Sequence, residues 1–147
     1  MIFYLDTSVV LPCLLTTHPN HQRARKLIAQ LRQVGSVATT TLHTYGEAYN
    51  HLTRTTKRNL HVTPEQAEQA ILNLERVMDI VELDKMDYAS AIRRCVTLQF
   101  TGPILYDALH YQAALKIGAG RLYSENLRDF TRLPLQDDPP IEILGLP

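Results

Sequence analysis

The sequence predicts an α/β protein, a three-layer α/β/α sandwich with a mainly parallel central sheet of four or five strands. Three observations predict it. Short apolar or β-branched runs alternate with longer segments of helical periodicity, the order expected of repeated βαβ units. The first run, Ile2 to Leu5, shows no polar alternation, as a central parallel strand buried on both faces requires. The helical segments carry start and stop residues at their ends, and right-handed crossovers then place helices on both faces.

Taken in order, Asp6, Thr7 and Ser8 follow the first strand with helix-start chemistry. Ala24, Leu27, Ile28, Leu31 and Val34 recur at helical spacing before Gly35, which suits a helix C-terminus. Val37 to Thr41 has the β-branched content of a second strand, and about Leu42 to Leu52 reads as helix. Thr63 and Gln66 form a capping box with Pro64 in the first helical position, ahead of Ala67, Ile71, Leu74 and Met78 on one face. Ile80 to Leu83 is a third strand. Asp84 then caps a helix to about Leu98, with Ala89, Ile92 and Val96 expected to face inward. Gly102-Pro103 ends that unit, and a helix from about Tyr106 to Ile117 follows. Arg121 to Ser124 is a fourth strand and Ile141 to Leu144 the candidate fifth. Between them Asn126 to Pro140, with three prolines, reads as an irregular stretch.

The 147 residues suffice for one hydrophobic core, so residues 1–147 are read as a single domain. With 45% hydrophobic and 20% charged residues the composition is that of a globular chain, not a disordered one. The apolar run Val9 to Leu15 contains Pro12 and is too short for a membrane span, and it lacks the basic leader of a signal peptide. Cys13 and Cys95 sit in apolar helical patterns, which suits reduced thiols and a cytoplasmic location without a membrane partner. Fifteen basic side chains balance fifteen acidic ones, so contact with nucleic acid has to come from a local basic patch.

Four acidic residues stand at strand-to-helix junctions or in the first turns of helices: Asp6, Glu47, Asp107 and Asp129. Each alone has an ordinary role. Asp6 can cap a helix, Asp107 can complement a helix dipole, Asp129 can make an Asx turn, and Glu47 can be solvated or pair with His51 one turn on. In combination, the strand ends of a parallel sheet share one rim, where such carboxylates converge into a pocket suited to a hard divalent cation. Thr7, Ser8 and Ser124 lie beside the same strand ends, as helix caps or as partners of carboxylate or phosphate. The densest basic run, Arg54 to Arg58 with Arg54, Lys57 and Arg58, is the candidate nucleic-acid contact, flanked by His51 and His61. Arg23, Arg25, Lys26 and the pair Arg93-Arg94 are weaker candidates. Tyr45, Tyr49 and Tyr106 are read either as base-stacking platforms or as core anchors. His18-Pro19-Asn20-His21 reads as a helix entrance.

Tyr4-Leu5-Asp6-Thr7-Ser8, Glu47 at the start of the third predicted helix, Asp107-Ala108-Leu109, and the stretch Gly118 to Phe130 (GAGRLYSENLRDF) together resemble the signature of PIN-domain ribonucleases. The similarity is closest to VapC-type toxins of bacterial toxin–antitoxin pairs and spans nearly the whole chain. It implies a PIN-like fold and a Mg²⁺- or Mn²⁺-dependent endoribonuclease with Asp6, Glu47 and Asp107 at the metal centre. Asp6 and Asp107 are then direct ligands, and Glu47 is a ligand through water or a base. It also implies a small antitoxin that masks the acidic pocket, and a homodimer formed through helices. Leu27 and Leu31, or the apolar face of the Thr63 helix, offer such an interface, and both patterns also fit core packing. The chain departs from its relatives at Asn126, where many carry a fourth aspartate. Asparagine can coordinate through its carbonyl but adds no negative charge, and Asp129 either compensates or is structural.

Other phosphate chemistries fit less well. A haloacid-dehalogenase phosphatase needs a second aspartate where Ser8 stands, a response-regulator receiver needs an acidic pair that is missing, and no glycine-rich loop with lysine occurs. The alternative outside enzymology is a PIN-like binding module with a weakened metal site.

Overall fold

The computed structural model describes residues 1–54 and 62–147. Strands β1 (Ile2–Leu5), β2 (Val37–Thr41), β3 (Asp79–Val81), β4 (Arg121–Tyr123) and β5 (Glu142–Leu144) form one sheet in the order β3-β2-β1-β4-β5. Every pairing is parallel, with Tyr4 opposite Thr39 on one side and Leu122 on the other. The chain builds outward from β1 to β2 and β3, then crosses back to place β4 on the other flank. That reversal beside β1 creates a crevice at the carboxyl ends of β1 and β4, where open α/β sheets bind ligands.

Seven helices connect the strands among the described residues: α1 (Thr7–Leu14), α2 (His21–Gln33), α3 (His43–Thr53), α4 (Pro64–Leu72), α5 (Lys85–Thr97), α6 (Ile104–Lys116) and α7 (Leu127–Phe130). Successive side chains of β1 point to opposite faces, and each face has its own core. Phe3 and Leu5 pack with Val9, Leu27, Ile28 and Leu31 from α1 and α2. Tyr4 packs with Ala91, Ala108, Tyr111 and Leu122 beneath α5 and α6. The result is the three-layer sandwich expected. A satellite cluster joins α3 to α4 through Ala48, Leu52, Ala67 and Ile71.

The capping chemistry read from the sequence is realised. Thr63 and Gln66 exchange both bonds of a capping box, and Asp84 does the same with Asp87. Gly35 takes φ +67° just past α2, so that Ser36 N–H reaches Leu31 O and Gly35 N–H reaches Arg32 O. This is the paired closure that a left-handed residue at that position permits.

Four expectations are corrected. Helix α2 begins at His21, at the expected helix entrance, but Val34 lies exposed beyond its end and not on its inward face. Helix α4 stops at Leu72 and tightens into a 3₁₀ turn over Asn73–Arg76, so Met78 reaches the core from outside the helix. Residues 126–140 are not wholly irregular, since α7 forms at once after Asn126. On α5 the inward face is the wrong one: Ala89, Ile92 and Val96 are exposed, while Asp87, Ala91, Arg94 and Cys95 are buried.

The reason for that last inversion is charge pairing. Asp87 accepts from Lys116 Nζ at 2.5 Å, and Arg94 makes a two-pronged pair with Asp138 at 2.6 and 2.9 Å. Paired charges can occupy a buried face that hydropathy assigns to apolar residues. Cys13 and Cys95 are both free, and burial pushes the Cys13 thiol up to about 12, so it is inert as a nucleophile.

Candidate active site

The crevice beside β1 holds the predicted carboxylates. Asp6, Glu47, Asp107 and Asn126 line one cleft of about 410 Å³, together with Thr7, Ser8, His110 and the rim residues His18, His51 and Glu125. Four separate elements deliver the four key side chains. Asp6 leaves the end of β1, Glu47 projects from α3, Asp107 lies in the first turn of α6, and Asn126 precedes α7.

Asp6 is buried and held on both oxygens. Ser8 Oγ donates to Oδ1 at 2.6 Å, and Ser124 Oγ donates to Oδ2 at 2.7 Å. The Val9 N–H also reaches Oδ1, so Asp6 caps α1 and faces the cleft at once. Ser8 in turn accepts the Glu125 N–H and Ser124 accepts the Asn126 N–H, which latches the segment after β4 onto the start of α1. Burial pushes the Asp6 carboxyl above its ordinary range, against the His110 charge and these hydrogen bonds.

Asp107 is raised to about 6. Burial is the largest cause, followed by repulsion from Asp129; His110 opposes both, Asp6 adds further repulsion, and Asn126 opposes. Crowded carboxylates of this kind share a site at an electrostatic cost that a cation removes. Asp129 stands to one side. It lines the adjoining cleft with Asp107, Phe100 and Arg132, accepts from Asn126 Nδ2 at 3.0 Å, and lies 3.5 Å from Arg132 Nη1. Asn126 thus occupies the corner that the sequence left open, with Asp129 behind it.

Glu47 behaves differently. Burial would raise its pKa, but the hydrogen bond from His110, the His43 ring nitrogen 3.5 Å away, the His110 charge and the Thr7 hydroxyl hold it well below the usual carboxylate range. His110 Nε2 stands 2.8 Å from Oε2, and His43 Nε2 stands 3.5 Å from Oε1. His110 is itself fixed by the Tyr4 hydroxyl, 2.6 Å from Nδ1. Sequence reading missed His43, His110 and Tyr4. The signal was there in part: His43 lies four residues before Glu47, and His110 three after Asp107, each on one helix face. His51, the partner first considered for Glu47, sits at the cleft rim instead.

The basic candidates divide. Arg54 is exposed at the end of α3, whereas Lys57, Arg58 and His61 lie outside the described residues. Arg94 is not available to RNA, because it is buried against Asp138 and the Leu133 carbonyl. Arg23 is spent on the carbonyls of Leu146 and Pro147. Tyr45 packs partly buried and donates to Glu75, so it is an anchor; Tyr106 is half exposed and stacks on His43 at 5.4 Å. Tyr49 remains exposed.

The PIN domain family model matches residues 3–134. Among solved structures, VapC20 of Mycobacterium tuberculosis, a sarcin-ricin loop cleaving toxin, superposes with a TM-score of 0.70 at 20% identity, covering 93% of this chain and 99% of that one. VapBC2 from Rickettsia felis, bound to a DNA fragment from its promoter, gives 0.66 at 15% identity, with 97% and 98% covered. VapBC-1 from nontypeable Haemophilus influenzae gives 0.65 at 18%, with 99% and 98% covered. No curated protein matches the sequence.

Proposed function

Because the chain belongs to the PIN-domain family, we propose that it is a divalent-metal-dependent endoribonuclease, the toxin of a toxin–antitoxin pair. The observation that carries this reading is the convergence of Asp6, Glu47 and Asp107 on one cleft at the sheet's topological switch. The donor set suits Mg²⁺ or Mn²⁺, since Asp6 and Asp107 offer hard oxygens and Asn126 a carbonyl. Burial raises the pKa of Asp6 and, with added repulsion from Asp129 and Asp6, that of Asp107, so a cation in the cleft would favour the ionised form of both.

When bound, a hard divalent cation supplies charge neutralisation for the scissile phosphate and a lowered pKa for the attacking water. Asp6 and Asp107 would hold it, with Ser8 and Ser124 fixing the Asp6 carboxylate and Asn126 donating to Asp107. Glu47 is ionised and a weak base, so its part is to orient the attacking water rather than to take its proton. Thr7 shares the same hydrogen-bonded group and keeps Glu47 turned into the cleft. Arg54, at the end of the helix that bears Glu47, offers a cation to the RNA backbone.

The toxin reading draws on the VapC and VapBC structures whose fold this chain shares. A small antitoxin covering the acidic cleft, and a homodimer, are expected on the same basis. Leu27 and Leu31 are buried in the core and do not serve as the interface, whereas Tyr88, Ile92 and Val96 lie exposed along α5. Among the described residues no helix is long and apolar enough to cross a membrane, and the two thiols are free, which supports a cytoplasmic setting.

RNA cleavage in Mg²⁺ or Mn²⁺, compared between wild type, Asp6→Asn and Asp107→Asn, tests the reading. Loss of at least about 100-fold in both variants is expected. Equal activity in all three sinks the proposal, and no activity in any favours a PIN-like binding module. Mapping the cleaved ends across a cellular RNA pool identifies the substrate.

A further inference from the structure

Glu47 stands between two imidazoles, and three ligand atoms from His43, Glu47 and His110 lie within 4.8 Å of one another. His43 and Glu47 sit one turn apart on α3, and α6 brings His110 across, so that the two rings meet edge-on with centroids 5.7 Å apart. His43 Nε2 is buried and has no hydrogen-bond partner within good geometry, although Glu47 Oε1 is only 3.5 Å away. Leaving a buried polar atom unsatisfied is costly, and this one is aimed at a carboxylate. A cation placed among the three satisfies it.

We propose that His43, Glu47 and His110 form a second cation site, selective for a borderline divalent transition-metal ion such as Zn²⁺ or Co²⁺, whose occupation withdraws Glu47 from the cleavage centre. Two imidazole nitrogens and one carboxylate oxygen make a three-ligand set with an open position, which Zn²⁺ and Co²⁺ accept and Mg²⁺ does not favour. His110 also has a polar partner on its other ring nitrogen, as metal-bound histidines commonly do. Tyr4 Oη lies 2.6 Å from His110 Nδ1, and Thr40 stands beside the same hydroxyl. The ion takes the Nε2 lone pair, so the proton on that nitrogen is displaced to solvent, while Nδ1–H donates to Tyr4 Oη and the tyrosine proton turns toward Thr40. Tyr106 stacked on His43 keeps that ring in place.

The binding claim is independent of the nuclease reading, and only the withdrawal of Glu47 rests on it. Titration of the metal-free full chain with Co²⁺, read by visible absorption, tests it. One equivalent of intense bands is expected, of the kind given by four- or five-coordinate sites with imidazole. Only the weak bands of an all-oxygen octahedral site would overturn it, and the wild type alone suffices for that test. His43→Gln should weaken Co²⁺ binding at least about tenfold, while Asp107→Asn keeps the intense bands. A His43→Gln variant that titrates like wild type overturns the assignment, with circular dichroism verifying its fold. Equimolar Zn²⁺ should then suppress Mg²⁺-supported cleavage in wild type, and His43→Gln, referred to its own rate, should escape. Co²⁺ binding without Zn²⁺ inhibition refutes the withdrawal of Glu47. Co²⁺ binding with no cleavage in Mg²⁺ at all refutes the nuclease reading and leaves the site standing.

Discussion

The side-chain amide of Asn126 lies 3.5 Å from both carboxylate oxygens of Asp107. It also donates to Asp129 at 3.0 Å, so one neutral residue bridges two acids that repel each other. The corner that many PIN relatives fill with an aspartate is here a donor.

Asn126→Asp should therefore act in two directions. Without metal, a third carboxylate beside Asp107 and Asp129 loses both hydrogen bonds and destabilises the fold by roughly 1–2 kcal/mol. With Mn²⁺ the added oxygen strengthens binding. Calorimetric titration should show tighter Mn²⁺ binding or a second equivalent, while thermal unfolding of the metal-free variant moves down. Unchanged Mn²⁺ binding would exclude this corner from the site.

The raised pKa of Asp107 makes stability depend on pH. Its folded value, about 6, lies above the ordinary 3.8, so the folded state binds the proton more tightly. The stability linked to this group is fully present below about pH 4 and is lost as pH rises through about 6. Asp107→Asn should then stabilise the metal-free protein at pH 7 by roughly 1 kcal/mol, a figure discounted for the partial exposure of the carboxylate. The gain should vanish near pH 4. Urea unfolding at the two pH values measures it, and an equal gain at both would contradict the charge explanation.

Tyr4 is buried, and its pKa is raised well above the ordinary range by burial and by Asp6 and Glu47, so its hydroxyl stays protonated at any working pH. It stands at the far end of the Tyr4, His110, Glu47 chain. Tyr4→Phe removes one buried hydrogen bond at a cost of about 1 kcal/mol, because the ring still fills its place. Cleavage should fall several-fold through kcat with KM for RNA unchanged, since Glu47 is loosened while the RNA-binding surface is intact. A change confined to KM would place Tyr4 in substrate binding instead.

Arg94 and Asp138 form a structural clamp away from the cleft. Arg94 also donates to the Leu133 carbonyl, and Asp138 accepts the Leu135 N–H, so the pair fastens the segment after α7 onto α5. Asp138→Ala leaves the buried guanidinium unpaired and should cost about 3 kcal/mol or more. Replacing both partners by apolar residues, Arg94→Met with Asp138→Leu, should recover much of that loss. Chemical denaturation of the single and double variants distinguishes a charge effect from a packing effect, since a double variant as unstable as the single one points to packing.

Much of this architecture is legible in the sequence. The alternation of Ile2 to Leu5 and Val37 to Thr41 with amphipathic segments, and the capping residues Thr63, Gln66 and Asp84, are local signals, because neighbours in sequence fix strand burial and helix ends. The placement of Asp6 at the end of β1 and of Asp107 in the first turn of a helix follows from the same local order; the single carboxyl edge of a parallel sheet sets where Asp6 stands, whereas Asp107 arrives there on a helix that follows another helix.

What the sequence by itself determined is the parallel α/β layering and the set of carboxylates that share its rim. Only the tertiary structure decided the rest. It turned the apolar side of α5 outward, because Asp87 and Arg94 found partners on α6 and in the segment after α7. It placed Asn126 in the cleft with Asp129 hydrogen-bonded behind it, and it tied Glu47 to His43, His110 and Tyr4 across three elements. Pairing between charges and imidazoles depends on atoms more than 60 residues apart meeting within about 3 Å, a distance that no local periodicity encodes.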